Sequence, residues 1–385
     1  MSTESEMLQN LPYYYLLKIG IVFGYSKIVK LVNILGIIIN SSTILLQVYY
    51  IKQNFSKELI LKYGCGILLT IYTIASLLIE FLIEKDVKKL LNEATRLMWA
   101  IDFCGSKVEK LILKRVTVIN NIIYFMSAWF VVMGIIMLPI WGDHSEWFLC
   151  DVIFNENFET KGKILYYLSS CISFPLVAFS SMRLPGILLC TILQTHMQII
   201  LINQKLVQIS EDVGSLDNIR IVEDKSYQKK IYKDLRLCIS HHVEIKRWLK
   251  KILKLVQPIF PVYVILGSLN FISLLFFAVY GLHNTSYLLK ARGCVVLIIC
   301  CFVLCMYAKA GQALSDETSR VFDTLMTCPW YLWDQKNKKA LTIFLSNSFQ
   351  PATITIAGMT LNYDFAVDLL KTSTSYALVL YNMKN

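Results

Sequence analysis

Charged residues are scarce in this chain: Asp, Glu, Lys and Arg make up only 17% of its 385 residues, whereas 56% are hydrophobic. One soluble core cannot bury that much apolar surface, so the composition excludes an ordinary soluble domain. A glycine-rich phosphate loop, a His-Glu-x-x-His pair and a Gly-x-Ser-x-Gly turn are also missing, which excludes the commonest nucleotide and hydrolase sites. We therefore expect neither enzymatic activity nor a cofactor.

Histidine is rarer still, with five residues, and the eleven cysteines do not show the spacing of a metal-binding motif. Cys150 stands in a predicted loop that offers no obvious second cysteine. No basic run is interleaved with aromatic residues in a soluble segment, so the net charge of +11 does not predict nucleic-acid binding. No metal site is predicted either.

What the chain has instead is long apolar runs. A bilayer core needs roughly 20 apolar residues per helix, because lipid offers no partner to a free backbone group. Seven runs meet this requirement, which predicts an all-α, polytopic membrane protein with seven transmembrane helices. They lie near 31–51, 59–83, 119–140, 164–188, 256–281, 288–308 and 362–381.

The distribution of Lys and Arg predicts the orientation of these helices. With a cytoplasmic N-terminus and an extracellular C-terminus, 28 of the 38 basic residues fall on the cytoplasmic side and eight outside. That asymmetry favours this orientation, since cytoplasmic loops carry the excess of basic residues. It is opposite to the orientation of G-protein-coupled receptors.

The segment before the fifth predicted span is amphipathic. Apolar residues recur there at helical spacing, which predicts a helix with one buried face below the membrane. The stripe comprises Ile231, Leu235, Cys238, Ile239, His242, Ile245, Leu249, Ile252 and Val256.

The last quarter of the chain carries the most specific motifs. They are Gly311-Gln312-Ala313-Leu314-Ser315-Asp316-Glu317-Thr318-Ser319-Arg320-Val321, Trp330-Tyr331, Phe349-Gln350-Pro351, Ala357-Gly358 and Lys371-Thr372-Ser373-x-Ser375-Tyr376. This order closely resembles the C-terminal signature of insect odorant receptors. The Thr-Tyr with a later Gln-Phe of gustatory receptors is missing, and so is the long insertion of the shared co-receptor, so the chain resembles a ligand-tuning subunit.

The resemblance implies an odorant-gated, nonselective cation channel that assembles as a heterotetramer with the odorant receptor co-receptor in the plasma membrane of a sensory dendrite. It implies one integral domain with a cytoplasmic helical anchor, small volatile ligands, and permeant monovalent and divalent cations. The predicted parts are residues 1–195 for helices one to four, 196–255 for a cytoplasmic extension, 256–308 for helices five and six, 309–347 for the anchor segment, and 348–385 for the pore-lining helix.

In such receptors the odorant enters a pocket among helices two, three, four and six, where Met and aromatic residues also serve as ordinary core packing. The candidates here are Leu69, Tyr72, Thr73, Phe130, Met133, Gly134, Met137, Tyr167, Ser170, Cys171, Phe174, Val295 and Ile298.

The pore of the family narrows at an aliphatic ring four residues beyond the Ser of the Ser-Tyr motif, which falls on Val379. Asn382 stands on the same helix face, and Asp368 either pairs with Lys371 or faces the lumen. The predicted pore residues are Asp368, Ser375, Tyr376, Val379 and Asn382. A gustatory-type channel and, more distantly, a membrane transporter are the alternatives.

Overall fold

The structure is a computed structural model and describes residues 27–136, 145, 148–157, 160–211, 222–284, 286–356 and 358–382, apart from some side chains in these ranges. Within them the chain is almost entirely helical, as predicted. The α-helices are α1 Lys27–Gln53, α2 Lys57–Leu97, α3 Ser106–Ile136, α4 Leu149–Asn157, α5 Thr160–Glu211, α6 Lys225–Val256, α7 Phe260–Asn284, α8 Tyr287–Thr327, α9 Gln335–Ser348 and α10 Tyr363–Asn382.

Two short 3-10 helices, Ile101–Cys104 and Trp330–Leu332, precede α3 and α9. A small antiparallel hairpin pairs β1 Thr355–Ile356 with β2 Met359–Thr360, immediately before α10. Its turn contains Gly358 with a φ of 79°, a backbone conformation that suits glycine because it has no Cβ.

Short polar side chains begin several helices, as N-cap residues do. Ser56 and Ser286 accept hydrogen bonds from the backbone N–H groups three residues ahead, at the starts of α2 and α8. Asp224 and Asp334 do the same for α6 and α9.

Five described helices are long and apolar enough to cross a membrane, namely α1, α7, α8 and parts of α2 and α5. Four of them correspond to the predicted spans 31–51, 59–83, 256–281 and 288–308, whereas the apolar part of α5, Arg183–Glu211, overlaps the predicted span 164–188 only at its end. The predicted span 119–140 begins in α3 and continues beyond the described residues, and the span 362–381 corresponds to α10, which carries Asp364, Asp368 and Lys371.

The main hydrophobic core lies at one end of the bundle, where the C-terminal halves of α5 and α8 pack with α6 and α9. Seven of the nine residues of the predicted α6 stripe are buried, and Ile239 and Val256 are half-buried. Trp248 and His241, which the stripe did not include, are buried as well. The predicted segment boundaries 195/196 and 308/309 both fall inside unbroken helices, α5 and α8. Each of these two helices therefore runs without a break from a predicted membrane segment into a predicted cytoplasmic segment.

Candidate functional site

A cavity of about 430 Å³ lies within the described bundle. Its walls come mainly from α2, α5, α7, α8 and the start of α10, and the surface is almost entirely apolar. A space of this size and character is typical of a site for a small organic molecule.

One face of α7 forms the longest wall. Its lining residues recur at spacings of three and four, so they point the same way. They are Ile259 just before the helix and Phe260, Tyr263, Val264, Gly267, Ser268, Asn270, Phe271 and Leu274 within it. A Cβ built on Gly267 meets no atom within 4 Å, so the missing side chain leaves space in this wall.

Four hydroxyl donors on the lining are already used by the protein, whereas the Tyr263 hydroxyl is buried and makes no hydrogen bond within the described residues. The hydroxyls of Thr70, Thr73 and Ser268 donate to carbonyls one turn earlier in their own helices, at 2.6–2.8 Å. The Tyr307 hydroxyl donates to the Pro185 carbonyl. Tyr72 meets Tyr263 edge to face with ring centroids 5.8 Å apart. The cavity therefore offers ring faces, aliphatic groups and oxygen lone pairs.

The start of α10 closes one side of the cavity. Leu361, just before the helix, lines it together with Phe365 and Leu369. The helix that carries the predicted pore residues is therefore in direct contact with the cavity.

Leu361 also approaches α8 very closely. A Cβ built on Gly311 would stand 2.1 Å from the Leu361 carbonyl oxygen and 3.2 Å from its Cγ. Only glycine permits this approach, because any side chain there would overlap the backbone of the segment that leads into α10.

The predicted ligand residues divide into three groups. Leu69, Tyr72, Thr73 and Gly134 line the cavity. Met137 and the side chains of Phe130, Met133, Tyr167, Ser170, Cys171 and Phe174 lie outside the described part of the chain. Val295 and Ile298 do not line the cavity, and Ile298 is 65% exposed on the outside of the bundle.

On α8 the cavity lining is displaced by one residue from the predicted ligand positions. Val296, Ile299, Cys300 and Val303 line the cavity there, one residue on from the predicted pair. Successive helical residues differ by about 100°, so Ile298 faces outward and Val295 packs against a neighbouring hydrophobic cluster. The wall from α7 had no counterpart in the prediction. The one sequence signal for it was a few polar residues, Tyr263, Ser268 and Asn270, in an otherwise apolar helix.

The predicted pore residues share the exposed side of α10. Asp368, Ser375, Tyr376, Val379 and Asn382 are all exposed in the isolated chain. The buried side of the helix carries Ala366, Ser373 and Ala377, and α10 packs against α7 and α8. A face that combines carboxylate, hydroxyl and amide groups with one valine is poorly suited to lipid.

A buried ion pair joins α2 to α5 beside the cavity. Arg183 contacts Glu80, and both side chains are almost fully buried. Glu84, one turn on, is shared by Lys30 and Lys88, each at 2.6 Å. The ion pairs of Glu80 and Glu84 thus connect α2 to α5 and to α1.

His241 and His242 are packed in the core and do not form a metal site. His241 lies 2.9 Å from the Gln198 side-chain oxygen and stacks on Trp99 with centroids 4.0 Å apart. Burial lowers the pKa of both imidazoles to about 4, so they are neutral at physiological pH. No group of three His, Cys, Asp or Glu side chains suited to a metal is present among the described residues.

Comparisons with known proteins give one family and one fold. The model of the 7tm odorant receptor family matches residues 58–374. The fold is similar to that of the insect olfactory receptor OR5 from Machilis hrabei, with a TM-score of 0.67 and 12% identity over 92% of this chain and 88% of that one. The structure of that receptor in complex with eugenol matches over the same shares, with a TM-score of 0.60 and 12% identity. No curated protein sequence matches the chain.

Proposed function

Because the chain belongs to the 7tm odorant receptor family, a family of transmembrane receptors and not of enzymes, we propose that it is the ligand-tuning subunit of an odorant-gated cation channel. The observation that carries the proposal is the apolar cavity, which α10 touches directly. A relative of the same fold was determined with eugenol, a small organic molecule. The subunit would assemble with the odorant receptor co-receptor in the plasma membrane, its N-terminus cytoplasmic and its C-terminus outside.

The affinity expected of such a cavity is modest. Burying about 300 Å² of apolar ligand surface at about 25 cal/mol per Å² contributes roughly 7 kcal/mol. The loss of ligand freedom on binding offsets part of this, so dissociation constants in the micromolar range or weaker are expected.

Gating follows from the position of α10 in this proposal. A ligand that fills the space beside Phe365 and Leu369 stabilises one position of α10 over another, and only such a difference in affinity can shift a conformational equilibrium. Val379 would form the constriction in the assembled pore, where a hydrophobic ring blocks ions by dewetting. Asp368 near the inner entrance would raise the local concentration of cations.

Filling the cavity tests the ligand site. Gly267→Leu is expected to raise the odorant concentration for half-maximal current at least tenfold, because the new side chain occupies ligand space without meeting protein atoms at its Cβ. The measurement is odorant-evoked cation current in cells that express the chain with the co-receptor, and with either protein alone.

Gly64→Leu is the matched control, since Gly64 also has open space at its Cβ but lies outside the cavity lining. Equal responses of both variants and the wild type would contradict the proposed site. Absence of odorant-evoked current in every combination of subunits would contradict the proposed function.

Truncating the proposed constriction tests the pore. Val379→Ala is expected to raise the resting conductance or change the ratio of permeant cations, because a wider and less apolar ring dewets less readily. Whole-cell current without ligand and reversal potentials in exchanged cations measure both effects. Leu378→Ala removes similar bulk from the neighbouring, equally exposed position. Unchanged Val379→Ala currents would remove this residue from the gate.

A further inference from the structure

Asn270 holds a hydrogen-bond acceptor that the described part of the protein leaves unused. It lies on the α7 wall of the cavity and is only 8% exposed. Its side-chain nitrogen donates to the carbonyls of Leu266 at 2.8 Å and Leu68 at 3.3 Å. Since carbonyls only accept, these contacts fix the nitrogen toward the two backbones. Oδ1 is buried and receives no hydrogen bond within the described residues.

Its polar neighbours on the lining do not supply that hydrogen bond. Ser268, Thr70 and Thr73 each donate their one hydroxyl proton to a backbone carbonyl. The Asn40 amide donates to Gly36 at 2.7 Å. Tyr263, which meets Tyr72, stands seven residues from Asn270, about 10 Å along the helix. The Tyr263 hydroxyl is without a partner among the described residues, but it belongs to a residue two turns away, so the lining next to Asn270 offers more acceptors than donors.

We propose that the cavity selects ligands in which a hydroxyl group is attached to an apolar body, an aliphatic or aromatic alcohol or a phenol, whose proton Asn270 Oδ1 accepts. This proposal rests on the proposed function of the cavity as the odorant site. Ethers, esters and hydrocarbons of the same shape leave the buried oxygen unsatisfied. A neutral hydrogen bond to a buried acceptor changes affinity by roughly tenfold.

Pairs of isomers that differ in whether they can donate a hydroxyl proton test this hydrogen bond. Octanol and methyl heptyl ether have the same formula, as do phenylethyl alcohol and benzyl methyl ether, but only the alcohols donate. Dissociation constants for the four compounds are measured by thermal-shift titration of the full chain in detergent. The same compounds are then applied to cells that express the chain with the co-receptor, and current is recorded.

Each alcohol is expected to bind the wild-type chain about tenfold more tightly than its ether. Asn270→Leu is expected to reduce this ratio to below about twofold, mainly by weakening alcohol binding. Thr191→Ala removes a buried hydroxyl that lies outside the cavity lining and donates to the Ile187 carbonyl, so it should leave the ratio unchanged.

Equal wild-type affinities within each pair would overturn the proposal, and this comparison needs no variant to fold. A preference that survives Asn270→Leu would overturn it as well. Preferential alcohol binding without current would support the acceptor role of Asn270 and contradict the channel function. Current without a preference for alcohols would support the channel function and contradict the acceptor role. Failure of all four probes to bind would count against both.

Discussion

Gly311→Ala is expected to be among the most damaging single substitutions in this protein. The added methyl group would overlap the Leu361 carbonyl oxygen, at 2.1 Å, and this atom belongs to a backbone that is held in place. Leu361 is 5% exposed, and its N–H donates to the Ile354 carbonyl at 2.9 Å. Relief of the overlap requires α8 to separate from the segment before α10. We expect a loss of more than about 3 kcal/mol of stability and of most ligand-evoked current.

The same helix offers a matched control. A Cβ on Gly293 meets only Phe277 ring atoms at 3.5 and 3.6 Å, which is ordinary contact. Both replacements gain up to about 1 kcal/mol of helix propensity, so the difference between them reports the backbone clash. Thermal unfolding in detergent and surface labelling measure the effect. If Gly311→Ala matched Gly293→Ala, the close approach of α8 to Leu361 would be refuted.

The second large effect is expected at the ion pair between Glu80 and Arg183. Removing one partner leaves a buried charge without its counterion, which costs about 3–5 kcal/mol in proteins. The two single variants should differ. A carboxylate left behind by Arg183→Met can take up a proton, whereas a guanidinium left behind by Glu80→Met stays charged. Glu80→Met is therefore expected to be the more damaging change.

The double variant Glu80→Met with Arg183→Met completes the cycle. Buried ion pairs replaced by apolar residues of similar size are often as stable as the original, so we expect recovery to within about 1 kcal/mol of the wild type. Glu84→Gln serves as the comparison, since Glu84 lies one turn away with its partly exposed partners Lys30 and Lys88. Additive losses in the double variant would show that Glu80 and Arg183 do not stabilise each other.

How far the sequence predicts the structure depends on how clearly apolar and polar residues are separated within each segment. In α6 apolar and polar residues alternate sharply, so the stripe through Ile231, Leu235 and Leu249 identifies the buried side, and the structure confirms it. In α7 nearly every residue is apolar. Apart from a few polar residues such as Ser268 and Asn270, such a helix does not indicate which side faces a cavity, and its wall was therefore missed.

The scarcity of polar residues also explains why the cavity-lining residues of α8 lie one position beyond the predicted ones. Around residues 294–305 each side of the helix is apolar, and only packing decides that Val296 and Ile299 face inward while Ile298 faces out. Long-range pairs are harder still. Glu80 and Arg183 stand far apart in the chain, and Gly311 gives no sign in the sequence that Leu361 will lie against it. Both depend on the packing of whole helices.

The unbroken length of α8 has a mechanical consequence. The helix has 41 residues, about 60 Å at 1.5 Å per residue, which is twice the thickness of a bilayer core. The cavity lining on α8 ends near Tyr307, and the helix ends at Thr327, roughly 30 Å further on, just beyond Leu325, which is buried in the main hydrophobic core. A tilt of about 5° at the cavity displaces that far end by nearly 3 Å. In the proposed channel α8 therefore acts as a lever, through which a small ligand in the cavity shifts residues that it does not touch.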